Sequence, residues 1–176
     1  MMEDISSHIM DIVMNSVTAG AKHISVAVEK DPQTAMLSLT IADDGLGMDP
    51  ETARKVQDPF FSTKTGRKVG LGIPLLKGTA ETTGGGFELR SKKGGGTTIR
   101  ATFDSRHPDL PPLGNVRDTF FVLIVSHPAV DFDLRYSVDG KDFQLDTADL
   151  KKELDDVPLN HPEVISFLSK YLDEHL

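Results

Sequence analysis

Three glycine clusters sit where apolar segments start or stop, and they constrain this chain more than any other feature. Asp43-Asp44-Gly45-Leu46-Gly47 directly follows Ala35–Ala42, a run that alternates like a strand. Gly70-Leu71-Gly72 directly precedes Ile73–Thr83, whose spacing predicts a helix with Pro74 in its first turn. Gly94-Gly95-Gly96-Thr97 separates Phe87–Lys92 from Thr97–Phe103, two strand-like runs. Glycine allows close backbone approach and positive φ. Joints of this kind at strand ends and a helix start suit main-chain N–H groups that must come up to a ligand.

The remaining segments alternate between helix and strand. Ser6 or Ser7 caps a first helix running to about Ala19, with Ile5, Ile9, Ile12, Val13 and Val17 on its core face and Gly20 as its stop. His23–Lys30 reads as a strand, and Asp49 caps a short helix over Pro50–Val56. Asp58–Gly72 is a polar loop. Residues 105–114, with three prolines, mark a linker. Beyond it, Asn115–Ser126 is a helix or a buried strand, which periodicity alone does not separate. Asp131–Ser137 and Lys141–Asp146 flank Asp139-Gly140, a hairpin signal. A short helix to Leu154 and a last one from about Asn160 to Leu172 complete the chain. The expected organisation is a domain over 1–104, a linker over 105–114 and a small acidic α+β region over 115–176.

Charge is uneven along this organisation. Residues 1–103 hold 12 acids and 12 bases, whereas residues 104–176 hold 15 acids and 7 bases, the whole of the net −8. Such a surface disfavours nucleic acid and anionic membranes and suits a basic protein partner, with plain solubility as the alternative. No apolar run approaches the ~20 residues of a membrane span, and the N-terminus lacks a signal-peptide layout. Cytoplasmic residence is the expectation. The chain has no cysteine, which excludes disulfides and thiolate metal sites.

Four segments carry candidate chemistry. On the first helix, His8, Asp11, Asn15 and Thr18 form a polar stripe opposite the Ile/Val face, either solvated or aimed at a metal-bound phosphate chain. Asp43, at a strand end before Gly45 and Gly47, can accept from an exocyclic amine. Lys64, Arg67 and Lys68 place positive charge in a glycine-bounded loop, and Gly70 and Gly72 expose amides at a helix N-terminus that favours phosphate. Neither a Walker loop nor a Rossmann fingerprint is present. Thr97 enters a strand from the third glycine cluster.

In order and spacing these segments resemble the ATP-binding domain of the gyrase, chaperone, histidine-kinase and mismatch-repair superfamily, the GHKL or Bergerat fold. Asp11 to Asn15 resembles the N-box, Asp43-x-Gly45-x-Gly47 the G1 box, and Pro59-Phe60-Phe61-Ser62-Thr63-Lys64 the F-box. Gly70-Leu71-Gly72 resembles the G2 box and Gly94-x-Gly96-Thr97 the G3 segment. The resemblance covers about residues 5–103. Its second half is most similar to the catalytic domain of sensor histidine kinases, and its first half also resembles mismatch-repair ATPases. It implies an α+β fold, a two-layer sandwich with a mixed sheet covered by helices on one face, plus a C-terminal α+β appendage. It further implies ATP and Mg2+ as cofactors. Asp43 and Thr97 would recognise adenine, with Gly45 and Gly47 lining its pocket. Asn15 would ligate Mg2+, Lys64, Arg67 and Lys68 would form a lid, and Gly70 and Gly72 would donate to the phosphates.

Three departures shape the expected function. Asp11 stands where hydrolysing members carry Glu as general base. None of the six histidines has the His-Glu/Asp-x-x-x-Pro context of a phospho-acceptor. The strand that commonly precedes the first helix is not read here, so the sheet has four strands or the tail completes it. The expectation is an ATP- and Mg2+-binding regulatory protein that transfers phosphate in trans to a partner protein, a kinase of serine/anti-sigma or histidine-kinase-like type. The alternatives are a slow ATPase or nucleotide-gated switch, and a non-enzymatic partner-binding protein. The region after the linker either packs on the ATP domain or mediates a homodimer.

Overall fold

The computed structural model describes residues 3–61 and 71–176. Helix α1 (Ile5–Thr18) leads into an antiparallel pair, β1 (His23–Lys30) and β2 (Met36–Asp43). The short α2 (Pro50–Lys55) and α3 (Gly72–Thr82) follow, then the hairpin β3 (Gly86–Ser91) and β4 (Thr97–Asp104). Beyond the linker come α4 (Val116–Ser126), the hairpin β5 (Asp131–Val138) and β6 (Lys141–Asp146), α5 (Thr147–Glu153) and α6 (Pro162–His175). Asn115–Ser126, ambiguous in sequence, is thus helical.

The six strands of the described residues form one mixed sheet in the order β3-β4-β2-β1-β5-β6. Among the described strands only the β1–β5 pair is parallel, with Ile24 opposite Phe132 and Val26 opposite Leu134. The tail therefore completes the sheet through β1. Its connection from β4 runs through α4, which packs against α1 and α6. A parallel neighbour needs such a crossover. Residues 115–176 hold α4, the β5–β6 hairpin, α5 and α6, and the hairpin continues the main sheet.

Alternation explains the two layers. Ile24, Val26 and Val28 on β1, Leu37, Leu39 and Ile41 on β2, Ile99, Ala101 and Phe103 on β4, and Phe132 and Leu134 on β5 are all buried. Their neighbours Ser25, Ala27, Ser38, Thr40, Thr98 and Thr102 are not. One face of the sheet thus meets the core. Opposite it, Ile5, Ile9, Ile12 and Val13 of α1, Leu76 and Ala80 of α3, and Phe120, Leu123 and Ile124 of α4 complete a single apolar cluster.

Local signals differ from expectation at two ends. The cap of α1 is Asp4, which accepts from the Ser7 backbone N–H at 2.7 Å; Ser6 and Ser7 serve instead as hydroxyl donors to the same oxygen. A carboxylate is the stronger acceptor. The linker is pinned, because Ile5 N and Ser6 N donate to Pro112 O and Leu113 O at 2.9 Å each. Two of the four orphan N–H groups of the helix start are satisfied that way. The Asp139-Gly140 turn has φ of 51° and 82°, the two positive values of a tight hairpin turn. No described helix is long and apolar enough to cross a membrane.

Candidate functional site

A cleft of about 290 Å³ opens between α1 and the ends of β2 and β4. Its walls are apolar: Ile12, Ile41, Met48, Val56, Ile73 and Ile99. Into it come Asn15, Ser16, Asp43 and Thr97. This is the ratio of surfaces expected of a small-molecule site, mostly apolar with a few placed polar groups.

Asp43 is the best-supported of these polar groups. As the last residue of β2 it lies opposite Thr97, the first of β4. Its Oδ2 accepts from Ser16 Oγ at 2.6 Å, and its Oδ1 accepts from Gly45 N at 2.9 Å. A carboxylate can accept about four hydrogen bonds, so capacity remains on the cleft side. Ser16 is 4% exposed. It was not singled out in the sequence, although it continues the core-facing series Ile5, Ile9, Ile12. A polar residue in that series is the signal.

Ser91 is the second residue that sequence reasoning missed. Its hydroxyl accepts from Met48 N at 2.8 Å and donates to Gly96 O at 3.0 Å. With that proton committed, Thr97 Oγ1, 2.8 Å away, donates to Ser91. The end of β3 thereby ties the loop after β2 to the third glycine cluster.

The glycines are fixed by close backbone approach. A Cβ at Gly47 (φ +64°) would lie 1.9 Å from Lys92 O, and one at Gly96 (φ +78°) 1.9 Å from Asp43 O. Neither distance tolerates a side chain. Gly45 sits under Asp43 Oδ1 and Ala19 O, where a Cβ would come within 3.0 Å of each. Leu46 N donates to Ala19 O at 3.0 Å, which holds the loop on the end of α1.

At the other end of the cleft, Gly72 opens α3 and faces Asp11. A Cβ there would lie 3.1 Å from Asp11 Oδ2. Asn15, one turn beyond Asp11, lines the cleft and is exposed. The expected polar stripe is therefore divided: Asn15 and Thr18 line the cleft, whereas Asp11 lies beside Gly72 at the start of α3 and His8 is 1% exposed against Thr79 of the same helix. Lys64, Arg67, Lys68 and Gly70 lie outside the described residues. Asn15, Asp43, Gly47 and Thr97 are brought together on the cleft, Gly45 supports it, and Asp11 with Gly72 forms a second cluster beside Ile73, which lines it.

Asp44 faces away from the cleft. It accepts from Lys22 N at 2.7 Å and His23 N at 2.9 Å, and the His23 ring lies at 3.0 Å. The His23 N–H, above all, holds its carboxyl below the usual range. The other ring nitrogen of His23 is 3.2 Å from Asp131 on β5.

Residues 3–107 match the family described as histidine kinase-, DNA gyrase B-, and HSP90-like ATPase. A sensor-like histidine kinase of Rhizobium meliloti is 30% identical over 102 residues, 55% of this chain and 19% of that protein. The sensor protein kinase FleS of Pseudomonas aeruginosa is 35% identical over 90 residues, 51% of this chain and 22% of that protein. The chain thus matches about a fifth of these relatives' length. In structure it is similar to the Aquifex aeolicus MutL ATPase domain complexed with ADP, with a TM-score of 0.55 at 18% identity, over 89% of this chain and 69% of that one.

Proposed function

Because the chain belongs to the histidine kinase-, DNA gyrase B- and HSP90-like ATPase family, we propose that its cleft binds ATP with Mg2+ and that the protein transfers the terminal phosphate in trans to a partner protein. The observation that carries the nucleotide part is Asp43. Its carboxylate is oriented by Ser16 and Gly45 at the floor of an apolar cleft. An adenine ring fits such walls, and its exocyclic amine fits such an acceptor, with the Thr97 oxygen beside it. Gly47 and Gly96 keep the loops close enough to shape the pocket.

The phosphates would run toward Asn15 and the start of α3. The Asn15 amide oxygen is a hard ligand, and Mg2+ is usually held by one or two protein groups together with substrate phosphates. Bound there, Mg2+ would neutralise phosphate charge. Gly72 would offer its amide at a helix N-terminus. Lys64, Arg67, Lys68 and Gly70 complete the proposed phosphate set.

Transfer is favoured over rapid hydrolysis by Asp11. A general base must come within about 2.6–3.2 Å of the proton it takes. Asp11 is one methylene shorter than the usual Glu and is held against Gly72. It leaves water poorly activated and the phosphoryl group available to an acceptor. A partner with a basic surface fits the acidic C-terminal region, and the proposed transfer is set in the cytoplasm.

A second reading, a nucleotide-gated switch, is favoured by one observation. His23 bridges Asp44 of the glycine loop to Asp131 of β5. Movement of that loop would reach the tail directly. Incubation with γ-labelled ATP and co-purifying proteins separates the readings. Label on a partner supports transfer; label released only as phosphate, or retained on ATP, supports the switch and rejects transfer.

A further inference from the structure

His8 presents an anomaly that the nucleotide site does not absorb. It is 1% exposed, and its Nε2 lies 3.5 Å from Thr79 Oγ1 on α3. The Thr79 hydroxyl donates to the Leu75 carbonyl at 2.9 Å. Toward His8 it therefore accepts, and Nε2 carries the ring proton. Nδ1 is then a bare lone pair, buried and without a partner. An orphaned buried acceptor costs stability and calls for a functional or structural reason.

Its position supplies one. His8 precedes Asp11 by three residues, so the two share a face of α1. Asp11 in turn lies against Gly72, the first residue of α3. A triphosphate whose last phosphate reached this helix start would meet a carboxylate of like charge. His8 lies one turn before Asp11 on α1, and the charge of Asp11 acts on its ring.

We infer that His8 is a positioning residue and charge compensator for the phosphate end of the site: when a nucleoside triphosphate approaches Asp11, His8 Nδ1 takes a proton from solvent and its imidazolium offsets the repulsion between phosphate and carboxylate. The inference rests on the nucleotide reading above.

The charges around His8 are consistent with this role. Asp11 and Asp4, on its own helix and cap, act on it. From α3 it meets the neutral Thr79, while Lys77 and Glu81 of that helix pair with each other. The linker brings Asp109 to the groove that Thr79 also lines. Burial holds the imidazole below its ordinary range in the free protein, against the pull of Asp11 and Asp4. An added phosphate moves it upward. The resulting gain in ATP affinity is complete below the free-protein value and is lost as pH rises through the bound-state value. It amounts to about tenfold for each pH unit between the two.

The test is calorimetry with Mg-ATP and Mg-ADP in two buffers of different ionisation heat. The wild type is expected to take up more protons with ATP than with ADP. In His8→Gln this difference vanishes, ATP affinity falls and ADP affinity is retained. Equal ATP-minus-ADP proton uptake in both proteins overturns the inference. Should His8→Gln fail to fold, the wild-type His8 ring nitrogens are followed by NMR. Conversion of Nδ1 to its protonated form with ATP but not ADP supports the role, and an unchanged ring overturns it. Absence of any nucleotide heat in the wild type rejects the nucleotide reading itself, and this inference with it.

Discussion

Ser16 Oγ donates to Asp43 Oδ2 at 2.6 Å, joining α1 to the end of β2 across 27 residues of sequence. The bond is short, partly buried and charge-assisted, the class that matters most in a polar contact. It orients the one carboxylate in the cleft. Ser16→Ala is expected to cost about 1–2 kcal/mol of stability and to weaken ATP several-fold. Urea unfolding and nucleotide titration check the two effects separately. Unchanged affinity would show that Asp43 needs no help from α1.

Gly47 and Gly96 are expected to be intolerant of alanine. Both have positive φ, and the added Cβ would meet main-chain oxygen at 1.9 Å. Flexible side chains cannot relieve such contacts. Each change should cost at least about 2–3 kcal/mol and abolish nucleotide binding. Gly94→Ala is the control: its φ is +76° but nothing lies within 4 Å of the added Cβ. It should cost only about 1 kcal/mol and leave binding intact, as denaturant melts and titration would reveal.

Gly72→Ala separates the two ends of the cleft. The new Cβ would press on Asp11 at 3.1–3.2 Å, a contact that a small shift relieves. Helix propensity compensates by up to about 1 kcal/mol, so stability should change little. ATP affinity should fall while ADP affinity holds, because only the terminal phosphate is expected to reach this helix start. An equal loss for both nucleotides would relocate Gly72 to the part of the site they share.

Stability should depend on pH through His8. Its folded-state value is depressed by burial below the ordinary 6.5, so the unfolded chain binds the proton first as pH falls. The contribution of a neutral His8 is present above pH 6.5 and is lost as pH falls through the depressed folded value. His8→Gln should flatten that limb in urea melts run from pH 8 to pH 5. Asp104 acts further down: Arg106 holds its carboxyl at about 2. Its contribution is present above the ordinary 3.8 and lost as pH falls through about 2, a limb that Arg106→Gln should remove.

What could be read beforehand follows from how local each signal is. Asp43, Gly47 and Gly96 were legible because a strand end and a positive-φ turn are written in neighbouring residues. So was the β5–β6 hairpin, through Asp139-Gly140. The pairing of β5 with β1 was not, since a parallel register joins residues about a hundred positions apart and leaves no local period. Ser16 and Ser91 escaped for a related reason: each matters through a partner brought in by the fold. His8 was placed on the polar stripe because helical spacing alone assigns it there; the packing of α3 through Thr79 buries it. Asp4 won the cap over Ser6 and Ser7 because a carboxylate can serve several donors at once.

The central claim is that Asp43 recognises the adenine of ATP. Calorimetric titration with Mg-ATP of the wild type and of Asp43→Asn tests it most directly, with circular dichroism confirming that both are folded. Asparagine keeps the shape but replaces one accepting oxygen with an NH2 group that faces either Ser16 Oγ or the Gly45 N–H, and it removes the negative charge offered to the ligand. Loss of a charged acceptor corresponds to about 1.5–3 kcal/mol, so affinity should fall by roughly 10- to 100-fold. A folded Asp43→Asn protein that binds Mg-ATP as tightly as the wild type would contradict the account.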